Sequence, residues 1–146
     1  MATTLSAAWE LSRGDSGLAV VSTLRADQTI QSSLVNTGII ERGGPLLAFV
    51  TYGRVKLANL RARPQIAVTF RNGWQWATVE GRAELAGPDD PRSDLDAEGL
   101  RLLLREIFAA AGGQHDDWDA YDRVMREQGR AAVLITASRV YGNAST

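Results

Sequence analysis

Residues able to hold an anion gather in one stretch, Ala48 to Val68. An apolar run ends at Thr51, Tyr52-Gly53 interrupts it, and Arg54 and Lys56 open a helical pattern that must end before Pro64, since proline disfavours helix in the residue before it. A helix that begins directly after a strand presents unpaired N–H groups and the positive end of its dipole. Cations at that end are unfavourable by roughly 0.3 kcal/mol or more, so a bound phosphate or carboxylate would reverse the sign. The same two residues also read as solvated surface cations, and spacing alone leaves both readings open.

Trp74 and Trp76 follow Asn72-Gly73, the strongest short hairpin signal, and face one way along their strand. They suit a ligand wall, a subunit interface or core packing. Gln31, Ser32 and Ser33 are uncharged in mid-strand, which fits a solvated face or a surface on which a flat ring can lie against backbone. The single histidine, His115, sits in a loop with no nucleophile-elbow motif nearby, and the adjoining Asp116 and Asp117 are explained by capping the helix that follows. No G-x-G-x-x-G or Walker pattern occurs. With no cysteine in the chain, disulfides, thiolate metal sites and cysteine nucleophiles are excluded. Any demanding chemistry falls to a cofactor, with the protein supplying shape and electrostatics.

The elements that must position these residues follow from periodicity. Leu5, Ala8, Trp9 and Ser12 share one helical face between Thr4 and Arg13, with Gly14 as a stop. Runs 18–24 and 29–35 form a hairpin about Arg25 to Gln28, the second continuing past Gly38 to Ile40. Run 46–51 is almost continuously apolar, as in a strand covered on both faces. After the short helix, strands 65–71 and 74–85 form the Asn-Gly hairpin, and Gly81 marks a bulge or close approach. Residues 87–96 are a loop. Leu100, Leu103, Leu104, Ile107, Phe108 and Ala111 form one helical stripe, and Trp118, Tyr121, Val124 and Met125 the buried face of another helix. Strand 131–137 runs on to Gly142. Six strands joined mostly by hairpins suit a small antiparallel barrel, in which closure removes exposed edges.

The 146 residues fit one domain, 1–146. A formal net charge of −1 argues against a general nucleic-acid or anionic-membrane binder. No segment reaches 18 uninterrupted apolar residues and the first fourteen lack a signal-peptide pattern, so the expected compartment is the cytoplasm.

Leu24, Gln31-Ser32-Ser33-Leu34-Val35, Phe49-Val50-Thr51, the string Arg54 to Leu60, Arg63-Pro64 and Trp76 through Gly81-Arg82-Ala83-Glu84 together resemble the pyridoxamine-phosphate-oxidase-like split-barrel superfamily. The branch they look most like is the flavin/deazaflavin oxidoreductases of group B, which use the deazaflavin coenzyme F420. The resemblance implies a mainly β fold with flanking helices, a six-stranded antiparallel split β-barrel of the FMN-binding type, and a homodimer with cofactor sites at the subunit interface. It implies that Thr51, Arg54 and Lys56 hold the cofactor phosphate, that Gln31, Ser32, Ser33, Leu34 and Val35 line the ring system, that Asn59 supports the phosphate loop and that Trp76 approaches ring or substrate. Arg61 either meets an acidic cofactor tail or stays solvated.

The implied activity is hydride transfer from reduced deazaflavin to an unsaturated, planar organic acceptor. No side chain is an obligatory acid or base, and solvent or a hydroxyl such as that of Ser33 or Tyr141 supplies the proton. The chain departs from flavin-mononucleotide oxidases of the superfamily, which usually carry an Arg and a Lys on the strand matching Gln31 to Asn36 and a substrate-binding Trp and Arg near the C-terminus. Leu34 also replaces a proline frequent in the deazaflavin branch. The alternatives are an FMN-binding oxidoreductase and a non-enzymatic barrel that stores a deazaflavin or tetrapyrrole.

Overall fold

The computed structural model describes residues 3–143, so both ends of the expected 1–146 domain lie outside the described residues. Thr4 starts α1 (Leu5–Glu10) by accepting the Ala7 N–H at 3.1 Å. Then come β1 (Leu18–Leu24), β2 (Ile30–Glu41), β3 (Pro45–Thr51), α2 (Arg54–Ala62), β4 (Gln65–Asn72) and β5 (Gln75–Ala86). Asp96 and Asp117 cap α3 (Ala97–Ala110) and α4 (Trp118–Glu127), and β6 (Ala131–Gly142) ends the chain's regular structure.

All strand pairs are antiparallel and close a barrel in the order β1-β2-β3-β6-β5-β4. Alternation along the strands sends Val21, Phe49, Val68, Phe70, Val79 and Val133 inward. Ala8 of α1 and Leu57 and Leu60 of α2 join this same core. A second core lies outside the barrel, where Ile40, Ala48 and Leu134 meet Leu103, Leu104 and Ile107 of α3 and Tyr121 and Met125 of α4. That second layer explains why β3 and the first half of β6 read as continuous apolar runs: both of their faces are covered. A Cβ on Gly38 would come within 2.5 Å of the Ala110 carbonyl carbon, so glycine is what lets the end of α3 lie on β2. Gly81 sits at a register shift in the β5–β6 ladder, where a Cβ would meet the Thr136 carbonyl oxygen at 2.2 Å.

Two expectations are corrected. The first helix stops at Glu10 and a 3₁₀ turn, Arg13–Asp15, follows, because the chain must reverse through the left-handed Ser16 (φ 57°) and Gly17 (φ 73°) into β1. On α4 the buried face carries Asp122 instead of Val124, which is exposed. Two arginines of α3 neutralise Asp122 and make its burial tolerable: Arg105 Nε and Nη2 donate to it at 3.0 and 2.5 Å, and Arg101 Nη1 at 3.0 Å.

Candidate functional site

Thr51 ends β3, and Gly53 adopts an extended conformation before α2 with no side-chain cap, so the first N–H groups of the helix gain no acceptor from the cap residue. The Thr51 hydroxyl oxygen accepts the Gly53 N–H at 3.1 Å and faces the Lys56 ammonium at 3.4 Å. Lys56 is only 6% exposed, with its Nζ 5.6 Å from the centre of the Phe49 ring. Among the described residues it forms an ion pair with no carboxylate, and burial pulls its pKa below the ordinary lysine value. Arg54, the first helical residue, is exposed and likewise in no ion pair among the described residues. A hydroxyl, a buried ammonium and a helix N-terminus thus lie together, with Arg54 on the first helical turn, an arrangement able to accept an anion.

One turn further on, Asn59 is buried and its amide nitrogen donates to the Thr23 hydroxyl at 3.0 Å; Thr23 donates in turn to the Gln31 side-chain oxygen at 3.2 Å. Asn59 therefore ties α2 to β1 and, through Thr23, to β2. Ile30 to Asn36 of β2 pair with β1 alone, and β3 joins only from Thr37 onward. The first half of β2 thus presents one edge without a strand partner, a row of backbone donors and acceptors free to meet a flat polar ring.

The five residues expected to line a ring divide by strand alternation. Gln31, Ser33 and Val35 turn inward, whereas Ser32 and Leu34 lie on the outer face, Ser32 sharing a hydrogen bond with Ser22 at 2.9 Å. The Ser33 hydroxyl oxygen is buried with no hydrogen-bond partner among the described residues. Such a group costs about 1–3 kcal/mol if left unsatisfied, and a ligand acceptor or donor at the open edge would satisfy it.

Other candidates stand elsewhere. Trp76 is partly exposed on the outer face and meets the Tyr141 ring edge-on, centroids 6.2 Å apart. Ten residues of β5 separate it from Ala86, whose partner Ala132 neighbours Val50 beside the junction; at about 3.3 Å per residue that is roughly 33 Å. Trp76 therefore stands at the opposite end of β5 from the strand residues beside the β3–α2 junction. Trp74 lies in the turn and is almost wholly exposed. The Tyr141 hydroxyl is committed to Glu80 at 2.5 Å. Arg61 makes two 2.7 Å hydrogen bonds to Asp90 in a partly exposed surface ion pair. His115 Nδ1 accepts the Asp117 N–H at 3.0 Å among the rings of Phe108, Trp118 and Tyr121, and no group of three metal-ligating residues occurs among the described residues.

Sequence reading missed two residues here. Thr23 reads as an ordinary strand threonine, and only the register of β1 on β2 reveals it as the link between Asn59 and Gln31. Arg130 precedes Ala131, the β6 partner of Thr51, and its guanidinium lies 4.3 Å from the centre of the Tyr52 ring. No local motif marks it.

A sequence profile described as pyridoxamine 5'-phosphate oxidase matches residues 7–144. The chain belongs to this family. Three solved structures show how the pyridoxamine 5'-phosphate oxidase fold recurs. A conserved hypothetical protein from Mycobacterium tuberculosis is 16% identical with a TM-score of 0.69, over 96% of this chain and 84% of that one. A protein described as an F420 reductase is 17% identical with a TM-score of 0.63, over 97% and 98%. An FMN-binding, pyridoxamine 5'-phosphate oxidase-related protein from Nostoc punctiforme is 12% identical with a TM-score of 0.64, over 96% and 84%. The split-barrel architecture of the family is the barrel described above, opened where β2 leaves β3. No described helix is long and apolar enough to cross a membrane.

Proposed function

We propose that this chain is an oxidoreductase of the flavin type that uses the deazaflavin coenzyme F420 to reduce an unsaturated, planar organic acceptor. The observation that carries the proposal is Lys56: a buried ammonium with no carboxylate, set on Thr51 at an uncapped helix N-terminus beside an open strand edge. The residues present fit the cofactor. Thr51, Lys56 and Arg54 would hold its phosphate, and the edge of β2 with Gln31, Ser33 and Val35 would hold its ring. The cofactor supplies the hydride. The protein supplies alignment, which for reacting atoms held about 3–3.5 Å apart contributes several kcal/mol, and Ser33 is positioned to hold a hydrogen bond at the ring edge.

One feature favours the deazaflavin over FMN: Gln31 to Asn36 carries no cation. The reading includes a cytoplasmic homodimer, supported by the outer face that Trp76 shares with Val20 and Leu34, which has no cover among the described residues.

The test is a titration of the protein with deazaflavin coenzyme and, in parallel, FMN, followed by tryptophan quenching. Micromolar binding of the deazaflavin with weaker FMN binding is the expected result. Preference for FMN moves the reading to a flavin oxidoreductase. Deazaflavin binding with no turnover of any planar acceptor moves it to a storage barrel, and binding of neither removes the anion site.

A further inference from the structure

The helical layer over β3 and β6 leaves a cleft of about 580 Å³ between α3, α4 and the segment that leads into α3. Small-molecule sites occupy roughly 300–1,000 Å³. Leu100 and Leu104 from α3 and Met125 from α4 form an apolar wall. Methionine adapts its shape to a bound body more readily than a branched residue does.

Charge around the cleft is unevenly committed. Its two carboxylates are both engaged: Glu98 pairs with Arg101, and Asp122 with Arg101 and Arg105. Those pairs also occupy Arg101. Arg126 and Arg130 line the same cleft and form no ion pair among the described residues; Arg130 donates only to the neutral Gln128 side chain at 2.7 Å and lies over Tyr52. Satisfied acids, an apolar wall and two uncommitted guanidiniums are complementary to one kind of ligand. Its body must be apolar and its head anionic, since guanidinium recognises carboxylate in a planar, two-point geometry.

We propose that the α3–α4 cleft is a second small-molecule site, for an amphipathic carboxylate whose hydrocarbon body lies on Leu100, Leu104 and Met125 and whose head meets Arg126 and Arg130. The site adjoins the β3–α2 junction through Arg130, which lies over Tyr52, but its apolar wall belongs to α3 and α4 and its test needs no cofactor.

Met1 and Met125 are the only methionines in the chain. Protein labelled with ¹³C at the methionine methyls therefore reports the cleft through one resonance, assigned by its loss in Met125→Leu. The probes are decanoate below its micelle concentration, decan-1-ol with the same body and no charge, and acetate with the charge and no body. Decanoate is expected to shift the Met125 signal saturably, with decanol and acetate about tenfold weaker or worse. The double variant Arg126→Gln/Arg130→Gln, at one exposed and one half-buried position and checked for an unchanged melting temperature, is expected to weaken decanoate by roughly three- to tenfold. A Met125 resonance unmoved by decanoate overturns the proposal. So does equal affinity for decanol, or a double variant that binds decanoate as the native chain does.

Discussion

Lys56 is where the cost of a residue to the fold and its use to a ligand separate. Its ammonium is buried against a hydroxyl and a phenyl ring with no counter-ion among the described residues, an arrangement that stability alone does not favour. Lys56→Met keeps the length of the side chain and removes the charge. The ligand-free variant is expected to melt no lower than the native chain, while its affinity for the deazaflavin falls by about 1–3 kcal/mol. Calorimetry without ligand and the quenching titration measure the two effects, and a parallel loss in both would make Lys56 a structural residue. The pH dependence has a definite sign. Burial lowers the folded-state pKa, so the unfolded chain binds the proton more tightly, and the Lys56 contribution to stability rises as pH climbs from the folded pKa toward the ordinary lysine value. At this scale Arg54 and Lys56 were legible because a strand running straight into a helix states where the N–H groups point. Thr23, Arg130 and the orphaned Ser33 hydroxyl were not, since their partners or lack of partners depend on which strands lie side by side and which edge stays open.

Among the elements, α3 and α4 are joined by a charge placed inside an otherwise apolar stripe. Asp122 is 6% exposed, and the guanidiniums of Arg105 and Arg101 hold its carboxyl below the usual carboxylate range. A depressed folded pKa means that this stability is present above the unfolded value and is lost as pH falls through the folded one. Acid titration of the native protein is therefore expected to loosen the α3–α4 layer below about pH 4, the ordinary carboxylate value, before the barrel melts, with Trp118 fluorescence reporting the change. Asp122→Asn keeps the shape but leaves two arginines facing a neutral amide. Its melting temperature is expected to fall by roughly 4–8 °C, and the acid transition should vanish. An unchanged acid transition in the variant would place the sensitive group elsewhere. Apolar periodicity located both helices, and Asp116-Asp117 marked the start of α4, whereas Asp96, the cap of α3, read only as the end of a loop. Periodicity misassigned Val124 because an aspartate in a stripe reads as a break until the arginines of the facing helix are known. The strands were more legible than the helices for a related reason: β3 and the first half of β6 are apolar on both faces, and Gly81 marks the bulge by backbone need alone. The hairpin turn falls one residue later than expected, on Gly73-Trp74, because Asn72 pairs with Gln75.

For the whole molecule, the question is what covers the barrel face that α3 and α4 leave bare. Val20 stands opposite Leu34 and Leu24 opposite Ile30, and the register carries the same outward row through Thr69 to Thr78, one step along the strand from the Arg71–Trp76 pair. Ile30 and Leu34 are each 62% exposed on this row, and Val20 is 45% exposed. These apolar pairs flank the Ser22–Ser32 pair on the same face, and an exposed face of mixed apolar and small polar side chains is what a subunit interface supplies. The strip also borders the free edge of β2, so a partner seated there would lie against the ring site and bring its own Trp76 toward it. The native chain is therefore expected to sediment at twice its 15.8 kDa mass. Leu34→Glu puts a carboxylate in mid-strip, where two copies would face like charges, and is expected to sediment as a monomer. Arg54, Lys56 and Thr51 are untouched by that change, yet the monomer should bind the deazaflavin more weakly, because half of the ring's surroundings would be gone. A monomeric native chain sinks the dimer, and a Leu34→Glu monomer with native affinity would mean that one copy alone builds the site.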